Sequence, residues 1–123
     1  METAAKKVLV VEDDEVVLIL ISHILARHSY VVHTTTDALQ ADELLSRQPY
    51  DAVLMDLKLP GGGVDLIRKI EQNNPDLLRK IIVVTGAMDE AAKLAHLPLH
   101  ATIRKPFEVK SLVDTVHSCV HTT

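Results

Sequence analysis

An open α/β domain built on a five-stranded parallel sheet is the fold this sequence predicts, on three observations. Short β-branched aliphatic runs recur five times and alternate with segments of helical spacing. The connections are short, so each return to a parallel strand must cross over through a helix. At 123 residues the chain suits one compact domain, given ~100–200 residues per domain. Right-handed crossovers then place helices on both faces, giving a single doubly wound (βα)5 unit.

Each element follows from its own residues. Lys7 to Val11 is continuous and β-branched, as expected of a strand buried on both faces. Val16 to His28 is too long for a strand, and Val17, Leu20, Ile21, Ile24, Leu25 and His28 form its expected core stripe. Tyr30 to Thr34 reads as the second strand. Thr36-Asp37 offers N-cap chemistry to a helix carrying Ala38, Ala41, Leu44 and Leu45. Ala52 to Met55 is the third strand, and a helix with Val64, Ile67 and Ile70 runs to Asn73-Asn74-Pro75. Lys80 to Val84 is the fourth strand. A short helix from about Asp89 to Ala95 is stopped by Pro98, and Ala101 to Arg104 is a weaker fifth strand. The last helix carries Val109, Leu112, Val113, Val116 and Val120. The expected domain is 1–123 with its core at about 7–119, flavodoxin-like with strand order 2-1-3-4-5, and with no output domain.

Composition narrows the function. Hydrophobic residues make up 47% of the chain and aromatic ones 2%, and 13 basic against 17 acidic side chains leave a formal net charge of −4. An acidic chain with only Tyr30, Tyr50 and Phe107 to stack on does not suit direct nucleic-acid binding. One cysteine, Cys119, forms no internal disulfide, which fits a reducing compartment. No apolar run is long enough for a signal-peptide core or a membrane span, so the expected location is cytoplasmic, without membrane insertion.

In open α/β sheets the ligand site lies outside the carboxyl ends of the strands. Those ends carry Glu12-Asp13-Asp14, Asp56, Thr85 and Lys105-Pro106, which converge if the strand order is 2-1-3-4-5. Two carboxylates ~4 Å apart repel by roughly 4 kcal/mol at an effective dielectric near 20, so such a cluster needs a cation. An all-oxygen donor set favours Mg²⁺, which keeps waters that a phosphate oxygen can replace. Asp56, ending the central strand, is the best-placed carboxylate to accept a phosphoryl group, with Mg²⁺ and Lys105 neutralising the equatorial oxygens. Asp14 is expected to begin the first helix.

The segments Val-Leu-Val-Val-Glu12-Asp13-Asp14-Glu15, Leu-Met-Asp56-Leu-Lys-Leu-Pro60-Gly61, Val-Val-Thr85-Gly86 and Arg-Lys105-Pro106-Phe107 resemble the signature segments of bacterial two-component response-regulator receiver domains. The resemblance runs from about Lys7 to Cys119. It implies a phosphorylation-dependent switch, not an enzyme, in which Asp56 accepts a phosphoryl group from a sensor histidine kinase or a histidine phosphotransfer protein. It implies that Asp13, Asp56 and the Lys58 backbone carbonyl bind Mg²⁺ directly, with Glu12 acting through a water. Thr85 would reorient towards the phosphoryl group, Lys105 would pair with it, the Lys105-Pro106 bond would be cis, and Gly86 would leave space. The signal would pass on through binding of a downstream protein.

Several positions depart from the pattern. Thr102 stands at the switch position where the family usually has an aromatic ring, and the fourth helix is expected to be short. Three glycines, Gly61 to Gly63, make the loop after the third strand permissive in φ/ψ, and they do not form a nucleotide-binding fingerprint. Lys58 could add a cation near the phosphate. Leu18 and Ile19 are expected off the core stripe as an apolar pair beside the pocket, a possible docking surface for the phosphodonor. Of seven histidines, His117 and His121 lie four residues apart on an expected helix, and near the chain end they read as surface residues rather than a zinc site. Two other functions compete: a degenerate receiver acting as a phosphorylation-independent interaction module, which Thr102 and the short fourth helix favour, and a small aspartyl-phosphate phosphohydrolase, which Lys58 disfavours.

Overall fold

The computed structural model describes residues 5–122; Met1 to Ala4 and Thr123, the extremes of the expected domain, lie outside them. Five parallel strands, β1 (Lys7–Val11), β2 (Val31–Thr35), β3 (Ala52–Met55), β4 (Ile81–Thr85) and β5 (Ala101–Arg104), form one sheet in the order β2-β1-β3-β4-β5. The helices between and after them are α1 (Glu15–Arg27), α2 (Ala38–Arg47), α3 (Gly63–Asn73), α4 (Met88–Ala92) and α5 (Val109–Val120).

Strand alternation divides the core in two. Leu9, Val11, Val53, Met55, Ile81 and Val83 face α2 and α3, where Ala41, Leu66, Ile67 and Ile70 meet them. Val8, Val10, Leu54, Ile82 and Val84 face α1 and α5, packing on Ile21, Leu25, Leu112, Val116 and the buried Cys119. The pairing of Val11 with Met55 and of Met55 with Val83 brings the ends of the three central strands level. Glu12, Asp56 and Thr85 therefore emerge at one edge. Among the described residues no helix is long and apolar enough to cross a membrane.

The α1 stripe has a different phase from the expected one. Ile21 and Leu25 are the buried residues of the helix, and at about 100° per residue Leu18 lies ~40° from the line between them and Leu20 ~120° away. Leu18 accordingly packs against the core, whereas Leu20 is 48% and Ile19 58% exposed. Leu18 and Ile19 do not form a shared exposed pair. His28 caps the helix end and is exposed, and Val109, expected in the α5 stripe, is exposed in its first turn.

Boundaries shift elsewhere. β2 and β4 each begin one residue later than expected. Pro75–Lys80 forms a 3₁₀ stretch rather than a plain stop. The short fourth helix ends at Ala92, with turns carrying the chain on to Leu97. The glycine loop uses its conformational freedom at two positions and is crowded at the third. Gly61 and Gly62 hold φ of 87° and 86°, and a Cβ on Gly63 would lie 2.7 Å from the Asp56 carbonyl oxygen, so that position requires glycine for close approach.

Candidate functional site

The pocket is assembled from strand ends. Glu12, following β1, and Asp56, following β3, are buried at 2% and 6% exposure, while Asp13 is exposed. Backbone ties hold the two buried acids: Glu12 N–H donates to Thr35 O and Asp56 N–H to Val11 O, each at 3.1 Å. Asp14 instead caps α1, accepting from Val16 N and Val17 N, as expected of a carboxylate at a positive helix end.

The Asp56 carboxylate accepts three hydrogen bonds. Oδ1 accepts from the Thr85 hydroxyl at 2.8 Å and from Lys58 N–H at 3.1 Å, and Oδ2 accepts from Lys105 Nζ at 2.9 Å. Lys105 also donates to Glu12 Oε2 at 2.7 Å. Its chain is led in through a cis Lys105-Pro106 peptide and a bond from Lys105 N to Thr85 O at 2.9 Å. The Thr85 hydroxyl, fully buried, already faces Asp56 and accepts from Ala87 N–H at 3.1 Å. A Cβ on Gly86 would meet nothing within 4 Å, so the space beside it is open.

These contacts set the charges. Burial pushes the Asp56 carboxyl up, but the hydrogen bonds from Lys105, the Lys58 amide and Thr85 outweigh it and hold the group below its ordinary range. Glu12 moves the other way, raised by burial and by the neighbouring Asp56 charge against the pull of Lys105. Burial lowers Lys105, and its bonds to Glu12 and Asp56 more than reverse this. Asp56 is thus an anion beside an ammonium at neutral pH.

Glu12, Asp13 and Asp56 each present a carboxylate oxygen within 4.8 Å of the other two. Lys105 pairs with two of these acids, Glu12 and Asp56, and the donor set is all oxygen. That chemistry fits a hard divalent cation such as Mg²⁺.

Other expected positions divide. The Lys58 side chain is exposed, and only its amide touches Asp56. Thr102 is exposed on β5 and lines a groove of about 430 Å³ with Met88, Ala91, Leu97 and Leu99. A feature missed in the sequence is a second groove, about 410 Å³, formed by Val17, Leu20, Pro106, Phe107 and Val109 and reaching Lys105. Its signal was Phe107, the single phenylalanine, placed directly after Lys105-Pro106.

Fold and pocket together are those of a two-component signalling domain. The response regulator receiver domain family matches residues 8–117, and the chain belongs to that family. Among curated relatives, Response regulator protein PilR of Pseudomonas aeruginosa is 30% identical over 112 residues, covering 90% of this chain and 25% of that protein. Sporulation initiation phosphotransferase F of Bacillus subtilis is 24% identical, with 90% of each chain covered. The chain thus spans about a quarter of one relative and most of the other. The receiver domain of sensor histidine kinase PA1611 from Pseudomonas aeruginosa superposes with a TM-score of 0.85 at 27% identity, over 97% of this chain and 100% of that one. That structure has a magnesium ion coordinated in its active-site cleft.

Proposed function

We propose that this receiver domain takes a phosphoryl group onto Asp56 from a phosphohistidine of a sensor kinase or phosphotransfer protein, and then changes its protein contacts. The observation that carries the reading is the state of Asp56. It is a buried carboxylate kept ionised by three donors, two of which, Thr85 and Lys105, can turn from the carboxylate to a phosphoryl oxygen. In the transfer an Asp56 oxygen forms the new P–O bond as the P–N bond to the donor imidazole breaks. Asp13, Asp56 and the Lys58 carbonyl would hold Mg²⁺, with Glu12 acting through a water. The ion supplies charge neutralisation for the transferring group.

The donor's docking surface is best assigned to Leu20 on the exposed side of α1, together with Val17, Phe107 and Val109, the exposed Ile19 lying outside this groove. This groove is continuous with Lys105, so a helix bearing the phosphohistidine could rest there while reaching Asp56. Leu18 supports the surface from the core side.

Incubation with a small phosphodonor and Mg²⁺, followed by intact-mass measurement, tests the reading. The wild type should gain one phosphoryl mass and Asp56→Asn none. An unmodified wild type would favour the interaction-module alternative, and rapid multiple turnover the phosphohydrolase.

A further inference from the structure

The other end of the molecule carries a feature that phosphoryl transfer does not use. α5 runs back across the sheet, so its last turn lies by the amino ends of the strands; Lys80, just before β4, donates from Nζ to Thr122 O at 3.0 Å. On that turn His117 and His121 are both exposed. A spacing of four residues places them on one helix face, and their ring centroids are 4.4 Å apart with planes inclined at 63°. The rings are therefore not stacked.

We propose that His117 and His121 form a two-imidazole chelate for a borderline first-row cation, Cu²⁺, Ni²⁺ or Zn²⁺, remote from the Asp56 pocket. The geometry is close to what such a chelate needs. With metal–nitrogen bonds of about 2.0–2.1 Å, two imidazoles in cis positions have centroids roughly 4.5–5.2 Å apart, close to the 4.4 Å between these rings, and rotation of the two exposed side chains would turn a nitrogen of each towards a shared ion. A partner for the other ring nitrogen of His117 is present as well. His117 Nδ1 lies 3.4 Å from the Tyr30 hydroxyl. With Nδ1–H donating to that oxygen, Nε2 keeps its lone pair for the metal, the arrangement in which ligating histidines are usually held. Imidazole donors select these cations over Mg²⁺, which prefers the oxygen set around Asp56, and Cu²⁺ should bind most tightly. Water would complete the coordination.

Titration of the whole chain with Ni²⁺, in excess Mg²⁺ to occupy the acidic pocket, tests the assignment. One equivalent should bind, and in imidazole ¹⁵N spectra the resonances of His117 and His121 should move first. His117→Ala and His121→Ala should each weaken binding more than tenfold, with His117→Gln as a second variant if the alanine perturbs the helix. Cu²⁺ should show nitrogen superhyperfine splitting from two imidazoles. Affinity unchanged in all variants, absence of binding, or spectral movement centred on another histidine would overturn the proposal. Phosphorylation of Asp56 should be the same in wild type and variants without added transition metal.

Discussion

Lys105 is the only ammonium bonded to the pocket's carboxylates among the described residues, and it serves two acids at once. Replacing it with Met leaves Glu12 and Asp56 facing each other uncompensated. Removing one partner of a fully buried pair costs roughly 3–5 kcal/mol, and with the Lys105 side chain 21% exposed a loss of about 2 kcal/mol is expected in urea unfolding at pH 7. Glu12 should behave in the opposite sense. Its folded pKa is raised above the ordinary glutamate value of 4.5, so its contribution favours folding below that pH and is lost as pH rises through the folded value. Glu12→Gln should therefore raise the urea midpoint at pH 7, and the gain should vanish near pH 4. Asp56, with a lowered value, contributes stability above 3.8 that disappears as pH falls through its folded pKa. A Glu12→Gln variant less stable than wild type at pH 7 would contradict this assignment. Such opposed behaviour in neighbouring acids was not legible in the sequence. The abrupt change from aliphatic to acidic at Val11-Glu12 and Met55-Asp56 marks the strand ends, but which acid the single lysine favours depends on burial and on the Lys58 amide.

Elements were legible where an apolar run was short or one face of a helix was polar. β3 and β5 carry the expected limits, and the α2 stripe follows Ala38 and Ala41 into the core. α1 resisted because Val16 to Ile21 is apolar all round, so periodicity supplies a helix without supplying its phase. The packing against β1 and α5 decides that Leu18 turns in and Leu20 out. Two substitutions separate these roles. Leu20→Glu should change stability by no more than about 0.5 kcal/mol, as is usual for surface changes, while slowing transfer from a cognate phosphohistidine donor and leaving small-donor phosphorylation intact. Leu18→Glu should lower stability by about 1–3 kcal/mol through burial of a carboxylate against the core. Equal slowing by both donors in Leu20→Glu would remove the docking role. The start of α3 is similarly fixed by contact rather than by propensity. Gly63→Ala must push its methyl into the Asp56–Leu57 backbone, and overpacking of this kind costs about 1–3 kcal/mol. Because the displaced segment carries the acceptor, the initial rate of small-donor phosphorylation should fall together with the melting temperature.

For the whole molecule, the parallel order places the acids together at one edge, and the acid surplus of the composition acquires a location there. The chain as a whole is only four charges from neutrality, but three carboxylates gather at the carboxyl ends of the central strands, and Lys105 bridges two of them, Glu12 and Asp56. This edge stores repulsion in the metal-free protein, and a divalent cation relieves it on the folded side alone, since the unfolded chain does not gather Glu12, Asp13 and Asp56. If the Mg²⁺ assignment holds, linkage predicts that the ion stabilises the fold, by about 2.7 kcal/mol at a hundred times its dissociation constant. For a domain of this size that corresponds to a rise in melting temperature on the order of 10 °C. The rise should saturate with Mg²⁺, exceed that from NaCl at matched ionic strength, and shrink strongly in Asp13→Asn. That substitution is the informative one, because Asp13 is exposed and contributes little to packing, so its loss removes a ligand without opening the core. An equal Mg²⁺ response in Asp13→Asn and wild type would show that the cation acts on the surface at large, and would separate the acidic edge from the metal-dependent chemistry assigned to it.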